Sequence, residues 1–170
     1  MDKNICIRRA CATDYDQINN LFWQSDLYHY RNEPFIYEKS NEYDRSKEYI
    51  ESLINDETSI FIVLEIDNKI MGFLYAYEES KGKLPFHKKR KYIVIDNIVV
   101  DTQYQNKGYG KKLLDYIIKY AKDGNYNNIE LYAYCFNEKA IKLYEKYGFE
   151  NLTQNMILKL KPQMEGEFNE

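Results

Sequence analysis

Residues 96–110 read Asp96-Asn97-Ile98-Val99-Val100-Asp101-Thr102-Gln103-Tyr104-Gln105-Asn106-Lys107-Gly108-Tyr109-Gly110. An acidic, then apolar strand runs through a two-glycine turn into a segment whose Leu113, Leu114, Ile117, Ile118 and Ala121 share one helical face. That order sets the unpaired amides of a helix's first turn beside small residues, where the helix dipole favours an anion such as pyrophosphate. Taken alone, the turn is also read as a plain strand-to-helix connection. The three-glycine dinucleotide fingerprint is not met, and the Walker pattern fails because Tyr109 follows Gly108. Lys111 and Lys112 read equally as added positive charge at the turn and as a solvated helix face.

Working outward, Tyr92 to Val100 is a strand interrupted by Asp96-Asn97, and Ser59 to Ile66 with Ile70 to Glu78 form a hairpin about Asp67-Asn68. Ile5 to Arg9 alternates as a short strand, and Thr13-Asp14 caps a helix carrying Ile18, Leu21 and Phe22. Asp26 to Asp44 lacks clean periodicity and reads as loop or short helix, before a helix from Ser46 to Ile54. Glu79 to Lys91 is an exposed hairpin tip; its run His87-Lys88-Lys89-Arg90-Lys91 is either a solvated surface or an attractor for an acidic group. Downstream, Ile129 to Phe136 is a strand, Asn137 caps a helix to about Tyr147, and Gly148 ends it. Phe149 to Leu152 and Met156 to Leu160 are expected as strands that close the sheet. The pattern predicts one α+β domain over residues 1–160, with 161–170 a frayed tail.

The 170 residues carry 24 Lys+Arg against 27 Asp+Glu, a net charge of −3, which argues against a dedicated nucleic-acid binder. No apolar run approaches the roughly 20 residues of a membrane span. The start Met1-Asp2-Lys3-Asn4-Ile5 lacks a signal-peptide layout, so a cytoplasmic, soluble protein is expected. Three cysteines and two histidines offer no metal-ligand spacing, which sets aside disulfides and structural metal. The 18 tyrosines are either an aromatic substrate box or, with abundant Asn, Ile and Lys, the mark of a biased codon supply.

At every defined position, Asp96 to Asp101 followed by Gln105 to Gly110 resembles the acetyl-CoA signature of the GNAT family of N-acetyltransferases. A second element resembles the same family: Asn137, Ala140, Tyr144, Gly148 and Phe149, with 137 − 110 = 27 positions from Gly110 to Asn137. Two motifs in the right order and spacing are far more specific than either one. The resemblance implies a mixed, mostly antiparallel sheet of about seven strands flanked by about four helices, splayed between the fourth and fifth strands. It also implies acetyl-CoA as cosubstrate and no metal. On the resemblance, the cofactor meets the backbone of Ile98, Val99 and Val100, the turn Gln105, Asn106, Lys107, Gly108, Tyr109, Gly110 and Lys111, and the helix residues Asn137, Lys139, Ala140 and Tyr144. The family's commonest version has Arg-Gly where this chain has Gln105-Asn106; Asn tolerates left-handed angles, so the departure bears on phosphate affinity.

Amine acetylation by a thioester needs a neutral amine and therefore a proton acceptor, and the leaving thiolate is best met by a weak acid. On the resemblance these are Asp96 and Tyr144; the alternatives are a carboxylate satisfying a bulge and a core-facing tyrosine. Asn137 has two competing uses, capping its helix or contacting pantetheine. On the resemblance the acceptor is expected over the first helices and the hairpin before the acidic strand, here Asp26 to Tyr37 and Glu79 to Lys91, with Asp26, Glu33 and Glu38 for a cation and Tyr28, Tyr30 and Tyr37 beside its alkyl part; Tyr132 and Tyr134 are further candidates. The expected partner is a primary amine, either a small molecule or a peptide, with no nucleic acid and no membrane; monomer and homodimer both stand open. The competing reading is a non-catalytic CoA-binding module that kept the fold without the reaction.

Overall fold

The computed structural model describes residues 5–40, 45–80 and 85–160. The elements are β1 (Ile5–Arg9), α1 (Tyr15–Asn32), α2 (Lys47–Asn55), β2 (Ser59–Ile66), β3 (Lys69–Glu79), β4 (Tyr92–Val100), α3 (Tyr109–Asp123), β5 (Asn128–Leu131) and α4 (Glu138–Lys146). The five strands form one sheet in the order β1-β2-β3-β4-β5, antiparallel except for the parallel β4–β5 pair.

Side-chain alternation divides the sheet into two apolar layers. On one face Ile60, Ile62, Leu64, Leu74, Ile93 and Ile95 pack with Leu113, Leu114 and Ile117 of α3 and Tyr144 of α4. On the other, Phe61, Val63 and Phe73 pack with Ile18, Leu21 and Phe22 of α1 and Ile50 of α2. Covered on both sides, β2 and β3 read as nearly continuous apolar runs. Their hairpin turns at Asp67 and Asn68, with φ of 52° and 62°, a geometry these two residue types tolerate.

Asp14 stands at the start of α1, but its carboxylate does not cap the helix. It takes Arg8 Nη1 at 2.7 Å and Nη2 at 2.9 Å, and the Cys11 amide at 2.9 Å, while Arg8 Nε reaches Glu65 at 2.9 Å. Burial by itself would push the Asp14 carboxyl up; the hydrogen bonds from Arg8 and Cys11 outweigh it and hold it below the usual carboxylate range. The network ties β1, β2 and the entry to α1.

Four expectations are corrected. The first is the strand count, five among the described residues against about seven. The second is the C-terminus: neither 149–152 nor 156–160 joins the sheet, and Leu152, Met156, Ile157, Leu158 and Leu160 are exposed. Alternating apolar residues announce strand propensity, but a strand exists only with a partner. Third, Asp26 to Asn32 completes α1, because its polar second half is held locally, as by His29 Nδ1 against Ser25 O at 2.8 Å, and by aromatic packing on Tyr134 and Phe136. Fourth, β5 stops at Leu131 instead of Phe136, since its pairing with β4 ends at Ile95. The expected tail 161–170 lies outside the described residues. No helix of the described residues is long and apolar enough to cross a membrane.

Gly72 lets β3 and β4 approach: a Cβ there would sit 2.6 Å from Val99 O and 3.3 Å from Val100 Cα. Backbone atoms in a sheet cannot swing aside, so Gly72→Ala should cost about 1–3 kcal/mol, the usual penalty of overpacking. Urea denaturation should show a lower midpoint at unchanged slope.

Candidate active site

The ladder between β3 and β4 slips by one residue. Tyr75 pairs with Asn97 and Ala76 with Ile95, which leaves Asp96 as the extra residue of a bulge. Bulges bend a strand and end pairing, and β5 accordingly follows β4 only from Tyr92 to Ile95. Beyond that point β4 keeps β3 on one side, and among the described residues no strand takes its other edge. The bulge also shifts the alternation: Ile98 and Val100 join the α3 layer while Val99 turns to the α1 layer.

The free edge leads into the turn before α3. Gln105 Nε2 donates to Val100 O at 3.2 Å, and Lys107 lies over the Tyr104 ring at 4.7 Å. Asn106 takes φ 60° and Gly108 φ 83°, and a Cβ on Gly108 would meet nothing within 4 Å. The first helical bond is Lys112 N–H to Gly108 O at 3.1 Å, so the amides of Tyr109, Gly110 and Lys111 have no intrahelical acceptor. The glycine in the turn is therefore required by backbone angle, and space and free donors remain beside it. Tyr109 itself is buried, and Lys111 is exposed.

Helix α4 closes the same side. A Cβ on Gly110 would stand 3.8 Å from Val100 Cγ2 and 4.0 Å from Leu143 Cδ2, so strand, turn and α4 converge there. Ala140 and Tyr144 pack in the same apolar layer as Ile98 and Val100, while Lys139 is exposed. Asn137 occupies the cap position of α4 without a side-chain cap bond. Its amide is thus left for something else. Burial pushes the Tyr144 phenol up to about 12, which keeps it protonated at neutral pH. Its ring meets Phe149 edge-on at 5.8 Å. The Tyr144 hydroxyl has no hydrogen-bond partner among the described residues and is not sealed from solvent.

Asp96 is exposed at the bulge and accepts a hydrogen bond from Asn97 Nδ2. Its charge acts on the neighbouring tyrosines of β3. Burial first, then Asp96, push the Tyr75 phenol up to about 12, and the same two causes raise Tyr77. Beside Tyr77 opens a cavity of about 530 Å3, lined among others by Glu79, Tyr92, Val94, Glu130 and Tyr132.

The residues expected at the acceptor are divided. Tyr132 lines the cavity. Tyr37 and Tyr134 share a hydroxyl hydrogen bond of 2.7 Å in a cluster with His29 and Phe136, and Tyr28 meets Phe136 edge-on. Asp26 is ion-paired to Arg45, with Nη2 at 3.0 Å from Oδ1, and Glu33 to Lys159 at 2.7 Å, so neither carboxylate is free. Tyr30 lies half-buried on α1. Of the basic run, Arg90 pairs with Glu130 and Lys91 with Glu78. Glu79, His87 and Arg90, which also line the cavity, fall in the segment Glu79 to Lys91 expected at the acceptor, whereas Tyr77 and Tyr92 were missed by sequence reasoning; the spacing Tyr75, Tyr77, Glu79 along one face of β3 was the available signal.

Comparison with known proteins yields a match of residues 17–149 to the Acetyltransferase (GNAT) family. An uncharacterized N-acetyltransferase of Methanocaldococcus jannaschii is 28% identical over 148 residues, which is 87% of this chain. The chain spans only 62% of the length of that relative. Among solved structures, a tetramutant of the BH1408 protein of Bacillus halodurans aligns at TM-score 0.86 and 28% identity, covering 91% of this chain and 99% of that one. Glucosamine-6-phosphate N-acetyltransferase of Arabidopsis thaliana, at TM-score 0.67 and 19% identity over 93% of this chain and 99% of that one, shares the fold.

Placement of Asp96 is testable without any assumption about function. Asp96→Asn removes a negative charge near Tyr75, so the Tyr75 midpoint should fall from about 12 part of the way toward 10, burial retaining the rest. A ring-carbon NMR titration of labelled tyrosine, with Tyr75→Phe for assignment, reads it.

Proposed function

The chain belongs to the Acetyltransferase (GNAT) family, and on that premise we propose that it transfers the acetyl group of acetyl-CoA to a primary amine. The observation that carries this reading is the half-paired strand: β4 offers a free edge from Asp96 to Val100 that runs into a turn of unpaired amides. The residues present fit the cosubstrate. An extended pantetheine arm suits an unpaired strand edge, a pyrophosphate suits free amides with open space at Gly108, and the uncommitted Asn137 amide suits a polar arm.

When bound, acetyl-CoA supplies an activated thioester carbonyl. The exposed Asp96 carboxylate takes the proton of the acceptor ammonium, directly or through water. Free amides of β4 polarise the carbonyl oxygen. Tyr144 Oη, protonated at neutral pH and without a competing hydrogen bond, holds a proton for the departing sulfur. The acceptor amine enters from the cavity beside Tyr77 and Tyr132, on the face opposite α3. Three exposed free cysteines suit a reducing, cytoplasmic setting.

Acetyl-CoA should raise the melting temperature by mass action, and NAD and ATP should not. Gly108→Glu should abolish the shift, because bulk and negative charge enter where phosphate approaches. An undiminished shift would remove the turn from the site.

Tyr144→Phe should keep the acetyl-CoA shift and lower turnover by roughly 100- to 10,000-fold, the worth of general acid catalysis. Equal turnover in both proteins would make Tyr144 a packing residue.

Asp96→Asn should slow turnover with amines that are mostly protonated at neutral pH, and raising the pH should restore part of the rate. CoA binding without turnover on any of a panel of amines would instead favour the non-catalytic module.

A further inference from the structure

We propose that the acceptor is a linear aliphatic diamine or polyamine, with one nitrogen at Asp96 and a distal ammonium held by Glu79 against the rings of Tyr77 and Tyr132. The inference deepens the proposed acetyl transfer and rests on it for the reacting end. Its distal end rests on the cavity of about 530 Å3, walled by Tyr77 and Glu79 of β3, Tyr92 and Val94 of β4, and Glu130 and Tyr132 at β5. Glu79 pairs with Tyr92 and Ala76 with Ile95, and Asp96 is the extra residue next after Ile95. Asp96 and Glu79 therefore stand three to four strand residues apart, about 10–13 Å.

Glu79 is the uncommitted carboxylate of that wall. Half-buried, it makes no ion pair among the described residues and accepts one hydrogen bond, from the Ser80 amide at 3.2 Å. Its neighbours are engaged: Glu130 takes Arg90 and the Asn128 amide at 3.0 Å, and Glu78 takes Lys91 and the Tyr126 hydroxyl. The cations nearby do not fill the place. Arg90 is offset by Glu130, with its guanidinium 4.4 Å over the Tyr92 ring, and His87 and Lys88 line the cavity but stand exposed, where solvent and salt screen them. After burial, the charges of Asp96 and Glu79 are what raise the Tyr77 phenol, so both carboxylates act on the same ring.

Aromatic faces joined to one free carboxylate suit an alkylammonium. Its methylenes lie along the rings, and its charged end meets both the carboxylate and a ring face. Arg90 over Tyr92 already shows a cation resting on this wall, and it leaves Tyr77 and the exposed Tyr132 for a ligand. Reach then sets the length of the molecule. An extended chain advances about 1.2 Å per bond, so roughly seven to ten carbons separate two nitrogens that span from Asp96 to Glu79. A shorter diamine reaches one carboxylate only, and a monoamine of full length leaves Glu79 without a partner.

Binding tests this first, independently of any acetyl transfer. Ring resonances of labelled tyrosine, assigned with Tyr77→Phe and Tyr132→Phe, are followed as diaminooctane, octylamine, diaminobutane or aminooctanoate is added to the full chain. Diaminooctane should shift Tyr77 and Tyr132 at about one-tenth of the concentration that octylamine or diaminobutane needs, the worth of one cation on a carboxylate and an aromatic wall. Equal concentrations for diaminooctane and octylamine overturn the proposal. Tightest binding by aminooctanoate also overturns it, since the distal end would then belong to His87 and Lys88. In Glu79→Gln the ratio between diaminooctane and octylamine should fall toward unity, and a ratio does not depend on the folded fraction; its persistence removes Glu79 from the site. With acetyl-CoA present the same preference should appear in kcat/KM. Diaminooctane bound at Tyr77 and Tyr132 with no amine acetylated would leave the distal cation site standing and refute acetyl transfer. Acetylation of amines with no preference for diaminooctane would leave acetyl transfer standing and refute the distal site.

Discussion

The bulge at Asp96 is the constraint on which the rest of this molecule depends. On one side β4 stays paired with β3 on both flanks of the slip, Gly72 to Tyr75 against Val100 to Asn97 and Ala76 to Glu79 against Ile95 to Tyr92, with Gly72 permitting the close approach at Val99. One extra residue can be absorbed only by bending the strand, and bending takes β4 away from β5 after Ile95. The same residue exchanges the faces, so that Ile98 and Val100 continue the layer begun by Ile93 and Ile95. A backbone edge left without a strand must satisfy its amides and carbonyls with water or with a bound group. The free edge is thus a consequence of packing elsewhere in the sheet.

The surrounding scaffold holds that strand from both faces. On the α3 side Leu113, Leu114 and Ile117 are fully buried, and Tyr120 adds a hydrogen bond to Glu78 of β3 at 3.3 Å. On the α1 side the apolar contact of Phe22 and Phe73, with ring centroids 4.6 Å apart, is joined by the Arg8–Asp14–Glu65 network at the helix entry. Arg8 is about one-third exposed, so solvent screens the pair and its worth lies in positioning more than in raw attraction. Exposed i,i+4 pairs such as Lys119–Asp123 add little.

What could be read from the sequence followed from local chemistry. The Asp67-Asn68 hairpin, the helix expected from Ser46 and the Gly108 turn each rest on the conformational preference of a few residues, and each stands close to where the residue types place it. Asp96-Asn97 marked an interruption in β4, but that the interruption would also end β5 depends on the partner strand. The strand expected to Phe136, and those expected over 149–152 and 156–160, failed for one reason. Propensity is local and pairing is not. Of the cavity wall only the segment Glu79 to Lys91 and Tyr132 were legible as an acceptor region; Tyr77, Tyr92 and Glu130 were not, because β3, β4 and β5 assemble it together. Asp26 and Glu33 looked available for a cation, and only the fold brings Arg45 and Lys159 to them.

Asp96 and Tyr144 illustrate how one bent strand separates two environments. Asp96 sits exposed at the bulge, where its carboxylate accepts a hydrogen bond from Asn97 Nδ2. Tyr144 lies in the apolar layer below, where burial disfavours the phenolate and pushes its phenol up to about 12. A proton acceptor and a proton holder so arranged would suit a transfer in which one proton leaves an incoming group and another is supplied to a departing one. The two demands conflict if both groups share one environment. Opening the sheet on one side of β4 meets both demands: the carboxylate stands exposed at the bulge while the phenol stays buried enough to remain neutral.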